Sequence, residues 1–136
     1  MNTPNFEVQF ITRLRDHIVS KYPELSFSVS RTPQLPDIVI ENTRTGNALG
    51  VEVKGGNSDN PVPPATIAVL IELSAAMKDR YAHSRRIELW VVSTGKVLPP
   101  WADIFANEQI HVINADSVDD ALSQLDRRLR ALAAGD

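Results

Sequence analysis

Two carboxylates and a lysine stand in two short apolar segments of the chain. Asp37 opens the segment Pro36–Glu41, and Glu52 and Lys54 close the segment Ala48–Lys54. Side chains two residues apart on a strand point to the same face, so Glu52 and Lys54 share one. The short turn between the segments predicts an antiparallel hairpin that can bring Asp37 beside Glu52. Carboxylate oxygens are suitable ligands for Mg²⁺, which acidifies a bound water. A nearby lysine can orient or deprotonate that water. This set of residues therefore has the chemistry for phosphodiester hydrolysis.

A third carboxylate, Glu7, falls within the first predicted helix, Pro4–Lys21, which Thr3 can cap. The apolar stripe of this helix is expected at Ile11, Leu14 and Ile18, flanked by Phe10 and Val19. Because Glu7 lies four residues before Ile11, helical spacing places it on the inward face, where a carboxylate is not expected. The alternative is that Glu7 is a first-turn acid favoured by the helix dipole.

The rest of the chain predicts strands and helices that hold these residues in place. Strands are predicted over Leu25–Arg31, Pro36–Glu41, Ala48–Lys54, Ile87–Val92 and Ile110–Ile113. Helices are predicted over about Pro64–Ser84, over Pro99–Asn107 and from Ser117 onward, the last with an apolar stripe at Val118, Ala121, Leu122, Leu125, Leu129 and Leu132. The helix between the third and fourth strands predicts a parallel crossover. We therefore expect an α/β fold with a mixed sheet between helices on both faces.

Pro36-Asp37 followed by Glu52-Val53-Lys54 resembles the motif of the PD-(D/E)xK nuclease superfamily. The predicted order of one helix, three strands, a helix and a strand also resembles that superfamily. The resemblance implies a restriction-endonuclease-like fold, an αβββαβ core with a further strand and a C-terminal helix added here. The proline before the aspartate and the apolar strand flanks make the motif more specific.

The resemblance covers roughly Phe6 to Val92, most of the chain. With a length of 136 residues and a glutamate at position 7 of the first helix, the chain is most similar to the small archaeal Holliday junction resolvases. The resemblance implies a Mg²⁺-dependent DNA endonuclease in which Mn²⁺ can substitute, and a homodimer that cuts two strands.

The same resemblance assigns a role to each candidate residue. Asp37 and Glu52 would hold the metal, and the backbone carbonyl of Val53 would add a ligand. Lys54 would act on the attacking water, and Glu7 would assist through a water or a second ion.

Other interpretations remain open at each position. Glu52 and Lys54 also fit an exposed cross-strand charge pattern, and Asp37 after a proline also fits a turn. The whole chain could be a catalytically inactive domain of this fold that binds nucleic acid or a partner protein. It could also be the catalytic subunit of a larger restriction or transposition assembly. The residues leave RNA open as a substrate.

Composition narrows the class of protein. The length favours a single domain, residues 1–136. The chain has 14 Lys and Arg against 17 Asp and Glu, a formal charge of −3, which excludes a strongly basic nucleic-acid coat protein but is compatible with one local basic patch. Cysteine is absent, which excludes a disulfide framework, a thiolate zinc site and a cysteine nucleophile. No apolar run reaches the roughly 18 residues of a membrane span, and no secretory signal is visible, so we expect a cytoplasmic protein.

Several remaining polar and aromatic residues have weaker interpretations. The three histidines have no metal-ligand spacing and are expected on the surface or in the core; they are His17, His83 and His111. The arginines at 85, 86, 127, 128 and 130 are expected to be solvated or at an interface, where they could contact phosphates. Trp90 and Trp101 are expected in the core or at an interface.

Overall fold

The computed structural model describes residues 3–30, 35–54, 64–81, 86–94 and 99–136. Each predicted helix and strand is present in these ranges. The helices are α1 (Thr3–Lys21), α2 (Pro64–Arg80), α3 (Pro99–Asn107) and α4 (Val118–Ala133), and the strands are β1 (Leu25–Val29), β2 (Ile38–Asn42), β3 (Asn47–Lys54), β4 (Ile87–Ser93) and β5 (Ile110–Asn114). The predicted ends at Arg31 and Ser84 lie outside the described residues, as do His83, Arg85 and the side chain of Trp101.

The strands form one open sheet in the order β1-β2-β3-β4-β5. β1 pairs with β2 and β2 with β3 in antiparallel fashion, whereas β4 is parallel to both β3 and β5. This arrangement confirms the predicted mixed sheet, the β2–β3 hairpin and the parallel crossover through α2. The chain is therefore α/β.

Helices cover both faces of the sheet. We call the face covered by α1 and α4 the α4 face, and the face covered by α2 and α3 the α2 face. The core of the α4 face includes Ile38, Ile40, Leu49, Val51, Val53, Val92 and Ile113 from the strands. The core of the α2 face includes Ile67, Leu70, Leu73, Met77, Leu89, Val91, Phe105 and Ile110. Side chains alternate along a strand, so the even-numbered residues of β3 point to the α2 face.

Gly50 lets α2 approach β3 closely. A Cβ atom at this position would overlap the sulfur of Met77 and the Cγ of Pro36. Since Gly50 precedes Glu52 by two residues on the same face, this contact fixes α2 over the strand that carries the candidate residues.

The buried stripe of α1 differs from the predicted one. Phe6, Phe10, Leu14 and Ile18 are buried, Ile11 is half-buried and Val19 is 66% exposed. Two aromatic rings, those of Phe6 and Phe10, stack at 6.1 Å between centroids and favour the stripe that buries both. The stripe is thus shifted towards Phe6 and Phe10, and Glu7 is half-buried at its border.

The apolar stripe of α4 is buried as predicted, but Arg128 joins it. We expected this arginine to be solvated or at an interface, yet it is only 8% exposed. Its Nε donates to Glu88 Oε1 at 2.5 Å, and a buried guanidinium is tolerated where a carboxylate matches it.

His17 and His111 both have carboxylate partners. His17 Nε2 lies 2.7 Å from Asp126 Oδ1 between α1 and α4. His111 Nε2 lies 3.0 Å from Glu88 Oε2, and its ring stacks on half-buried Trp90 at 4.6 Å between centroids. Among the described residues, no helix is long and apolar enough to cross a membrane.

Candidate active site

The β2–β3 hairpin brings Asp37 and Glu52 into direct contact. The backbone N–H of Asp37 donates to Glu52 Oε1 at 2.9 Å. The backbone N–H of Val53 donates to Asp37 Oδ2 at 2.8 Å. The Glu52 carboxylate on β3 thus accepts a hydrogen bond from the backbone just before β2, and the Asp37 carboxylate accepts one from the backbone of β3. These two bonds hold the side chains side by side.

The position of Asp37 follows from where the hairpin ladder ends. The last paired residues are Ile38 and Val51, so the ladder of backbone hydrogen bonds does not extend to Asp37 and Glu52. The two carboxylates replace it by accepting the next backbone N–H groups. In a strand the N–H and C=O of one residue point to the same side, so the carbonyl of Val53 also points to the β2 side of β3. The geometry thus gathers the two carboxylates at the C-terminal end of β3, with this carbonyl directed to the same side as the Val53 N–H.

Glu52 is buried in an environment that disfavours its charge. Its side chain is on the α2 face, and the residue is 8% exposed. Burial, followed by the side-chain hydrogen bond and the charge of Asp37, raises the pKa of Glu52 to about 7. The positive charge that the protein itself supplies therefore does not fully balance two ionised carboxylates at neutral pH.

Lys54 supplies the nearest cation. Its Nζ lies 3.5 Å from Glu52 Oε2. This ion-pair distance is longer than that of an ordinary hydrogen bond between nitrogen and oxygen. This charge lowers the pKa of Glu52, but by less than burial and Asp37 raise it. The Lys54 side chain is 36% exposed, so its ammonium can reach a bound substrate at the rim of the site.

Glu7 lies on the other face of the sheet. The turn between α1 and β1 is short, so α1 runs back over the sheet and its N-terminal half lies towards the edge where β3 ends. However, α1 packs on the α4 face, whereas Glu52 points to the α2 face. The part of the chain that the structure describes has no group of three or more His, Asp or Glu side chains able to hold a metal ion, so Glu7 does not join Asp37 and Glu52 in one.

Ser93 is a neighbour that sequence reasoning did not select. It is paired with Lys54 across β3 and β4, is 1% exposed, and alternation places its hydroxyl on the α2 face with Lys54. The backbone continues the sheet here, because Thr94 N–H donates to the Lys54 carbonyl at 3.2 Å. The available signal was a serine that directly follows the apolar run Leu89–Val92, which indicates a polar neighbour within the fold.

No family model, curated protein or solved structure matches the chain. The geometry and electrostatics of Asp37, Glu52 and Lys54 therefore carry the functional assignment.

Proposed function

We propose that the chain is a Mg²⁺-dependent endonuclease that hydrolyses phosphodiester bonds of DNA. The observation that carries this proposal is the contact between the Asp37 and Glu52 carboxylates at the end of β3, with the Lys54 ammonium 3.5 Å from Glu52. The α/β architecture and the order of its elements support a restriction-endonuclease-like fold.

The donor set fits a hard divalent cation. Mg²⁺ prefers carboxylate and carbonyl oxygens and keeps several waters, so it needs only one or two carboxylates from the protein. Asp37 and Glu52 supply these, with the Val53 carbonyl as a third oxygen. A raised carboxylate pKa marks a site where negative charge is undercompensated, and a cation relieves that repulsion. Mn²⁺ is of similar chemistry and would bind the same oxygens.

Each residue of the site would have a separate task. Asp37 and Glu52 would hold the metal, which when bound would acidify a water and polarise the phosphate. The Lys54 ammonium would orient the attacking water and offset negative charge on the phosphate oxygens. A bond forms between the water oxygen and phosphorus while the bond from phosphorus to one sugar oxygen breaks. The proton from the water ends on the leaving oxygen or on bulk solvent.

Glu7 would act at longer range. Because it lies on the α4 face near the same edge of the sheet, it would contact the site only through water or a second ion. Two copies of the chain, each cutting one strand, would form the active homodimer.

A second candidate is a catalytically inactive domain of this architecture that binds nucleic acid or a partner subunit. The observation in its favour is that Asp37 and Glu52 each already accept a backbone hydrogen bond, which closes the hairpin. In that case the two carboxylates are a structural clamp and no metal is required.

A plasmid-nicking assay separates the two candidates. The wild-type chain should convert supercoiled plasmid to nicked product with Mg²⁺ or Mn²⁺ and leave it intact in chelator. Lys54→Ala should lower the turnover rate far more than metal or DNA affinity. Asp103→Asn, an exposed acid on α3, is the matched control and should keep full activity.

Parallel substrates define the enzyme further. Branched DNA, linear duplex and RNA are compared at the same metal concentration, and sedimentation measures whether the active species is a dimer. Absence of cleavage of every substrate, with a folded chain and either metal, would favour the inactive domain.

A further inference from the structure

A cleft of about 650 Å³ lies beside β4 on the α4 face. It is lined by Arg86, Trp90, Ser123, Gln124, Arg127 and Arg128, among others. None of these residues belongs to the candidate active site, which points to the α2 face. The cleft exists because the helix layer does not fully cover the far side of the sheet, where Trp90 is half-buried and His111 is exposed.

The lining of the cleft contains three arginines and no acidic side chain. Glu88 beneath it is matched by buried Arg128, whose Nε lies 2.5 Å from Glu88 Oε1. Arg86 is exposed, with its Nε 3.7 Å from the same oxygen, and both it and Arg128 also donate to the main-chain oxygen of Asp136 at 3.2 Å. Arg127 is exposed and has no ion pair or side-chain hydrogen bond in the described ranges. Two of the three guanidinium groups thus have acceptors at Glu88 and Asp136, and that of Arg127 has none in the described ranges.

An aromatic wall stands next to these arginines. The indole of Trp90 lines the cleft and is stacked on His111, with an angle of 16° between the two rings. The indole N–H is buried and has no acceptor among the described residues. The hydroxyl of Ser123 and the amide of Gln124, both on exposed side chains, complete the polar rim. The indole of Trp90 therefore lies beside charged donors, the arginines, and neutral donors, the Ser123 hydroxyl and the Gln124 amide.

We propose that this cleft binds a nucleoside phosphate unit. Guanidinium groups bind phosphate oxygens through charge-assisted hydrogen bonds, and an indole provides apolar contact area for a nucleobase. A cleft of this volume falls within the range of small-molecule sites, roughly 300–1,000 Å³. A free nucleotide and a unit of a nucleic-acid strand share this chemistry. The proposal does not depend on the metal site, because the cleft uses other residues on the other face of the sheet.

The test uses Trp90 as the reporter. The full chain has two tryptophans, so the Trp101→Phe variant leaves Trp90 as the only one. This variant is titrated in chelator with adenosine monophosphate, with a short oligothymidylate, with adenosine and with inorganic phosphate. Saturable quenching by the monophosphate indicates that a free nucleotide suffices, and quenching by the oligonucleotide alone indicates a strand; either result supports the proposal. Calorimetry on the wild-type chain gives a second readout without any substitution.

Arg127→Ala is the decisive variant, because the side chain is exposed and makes no ion pair or side-chain hydrogen bond in the described ranges. It should weaken the affinity for the quenching probe roughly tenfold or more, as expected when one charge-assisted hydrogen bond is lost. Arg15→Ala removes the same charge from an exposed position on α1 and should leave the affinity unchanged. Asp37→Asn should also leave it unchanged, which separates this cleft from the proposed nuclease site.

Four results would overturn the proposal. The first two are no quenching by either adenosine monophosphate or the oligothymidylate, and equal affinity for adenosine and its monophosphate. The other two are equal affinity of the Arg127→Ala and Arg15→Ala variants for the probe, and a dimer of the wild-type chain that the Arg127→Ala substitution dissociates. The last result would make the cleft an interface between copies of the chain.

Discussion

Two glutamates on neighbouring strands are almost equally buried but have opposite surroundings. Glu52 on β3 is 8% exposed and Glu88 on β4 is 9% exposed. Glu88 points to the α4 face, where Arg128, His111 and Arg86 lie 2.5, 3.0 and 3.7 Å from its oxygens. Its charge is matched by two guanidinium groups, which is what a buried carboxylate needs in a stable fold.

Glu52 has an acid as its nearest charged neighbour. It contacts Asp37 and has one ammonium, that of Lys54, at 3.5 Å. Burial and Asp37 together raise the pKa of Glu52 to about 7, so the site disfavours two negative charges in the absence of a further cation. The comparison shows that burial alone does not distinguish a structural carboxylate from a functional one, whereas the sign of the neighbouring charge does. Perturbed carboxylates of the second kind cluster at functional sites.

The largest expected effect is on cleavage. Asp37→Asn or Glu52→Gln should reduce the rate of plasmid nicking by at least about a thousandfold, because metal-ion catalysis contributes several kcal/mol to lowering the barrier. Glu88→Gln should retain most of the activity at a temperature where the variant is folded. Rates are measured at saturating Mg²⁺, with folding checked by circular dichroism. Equal losses at Glu52 and Glu88 would remove the functional distinction between them.

The next effect is on stability and concerns the matched glutamate. Arg128→Met leaves Glu88 buried with weaker partners and should lower the free energy of unfolding by about 3 kcal/mol. Combining it with Glu88→Leu should recover much of that loss, since apolar side chains replace the pair. Arg130→Met, whose side chain is 69% exposed, is the matched control and should leave the free energy of unfolding almost unchanged. Urea unfolding at neutral pH measures all three, and a harmless Arg128→Met would show that the pair is not a stabilising contact.

A pH-dependent effect of similar or smaller size is expected at Glu52. A carboxyl whose folded pKa is raised from 4.5 to about 7 contributes fully to stability below pH 4.5 and loses that contribution as the pH rises through 7. Glu52→Gln removes this loss, so the metal-free variant should exceed the wild type by up to about 3 kcal/mol at pH 8 and by little at pH 4.5.

Metal should remove most of the difference between the two proteins at pH 8. Mg²⁺ that binds only the folded wild type stabilises it by about 2.7 kcal/mol at a hundredfold excess over its Kd, and Glu52→Gln should not respond. Thermal melts at both pH values, with chelator and with millimolar metal, measure both effects. A variant that melts below the wild type at pH 8 in chelator would indicate that Glu52 is a structural clamp.

The contact between Asp37 and Glu52 could be predicted from the sequence because it depends on local rules. A short turn fixes the hairpin and strand alternation fixes the faces, so two carboxylates 15 positions apart are brought together. The element order and the parallel crossover followed from hydrophobic patterns of the same local kind. The reciprocal hydrogen bonds with the main chain were not predictable, because they depend on where the ladder ends.

The features that escaped prediction depend on contacts between distant segments. Arg128 interrupts the apolar stripe of α4, and Glu88 interrupts an apolar strand, but only the packing of α4 on the sheet shows that they pair. The shift of the α1 stripe has a similar cause. Two candidate stripes differ by one position, and burial of the Phe6 and Phe10 rings decides between them. Glu7, which was expected on the inward face, is half-buried at the border of the observed stripe.

Glu7→Gln is expected to have the smallest effect on the nicking rate. It tests whether Glu7 belongs to the same functional site as Asp37, Glu52 and Lys54. Glu7 is half-buried beside the α1 stripe, on the face opposite Glu52, so it cannot share a metal ion with Asp37 directly. A role through water should lower the nicking rate only a few-fold, with KM for metal raised more than kcat is lowered, because an outer carboxylate acts on ion affinity. Asp16→Asn, an exposed acid on the same helix, is the control. A loss as large as that of Glu52→Gln would instead mean that α1 moves to bring Glu7 against the metal when DNA binds, and an unchanged rate would limit the site to Asp37, Glu52 and Lys54.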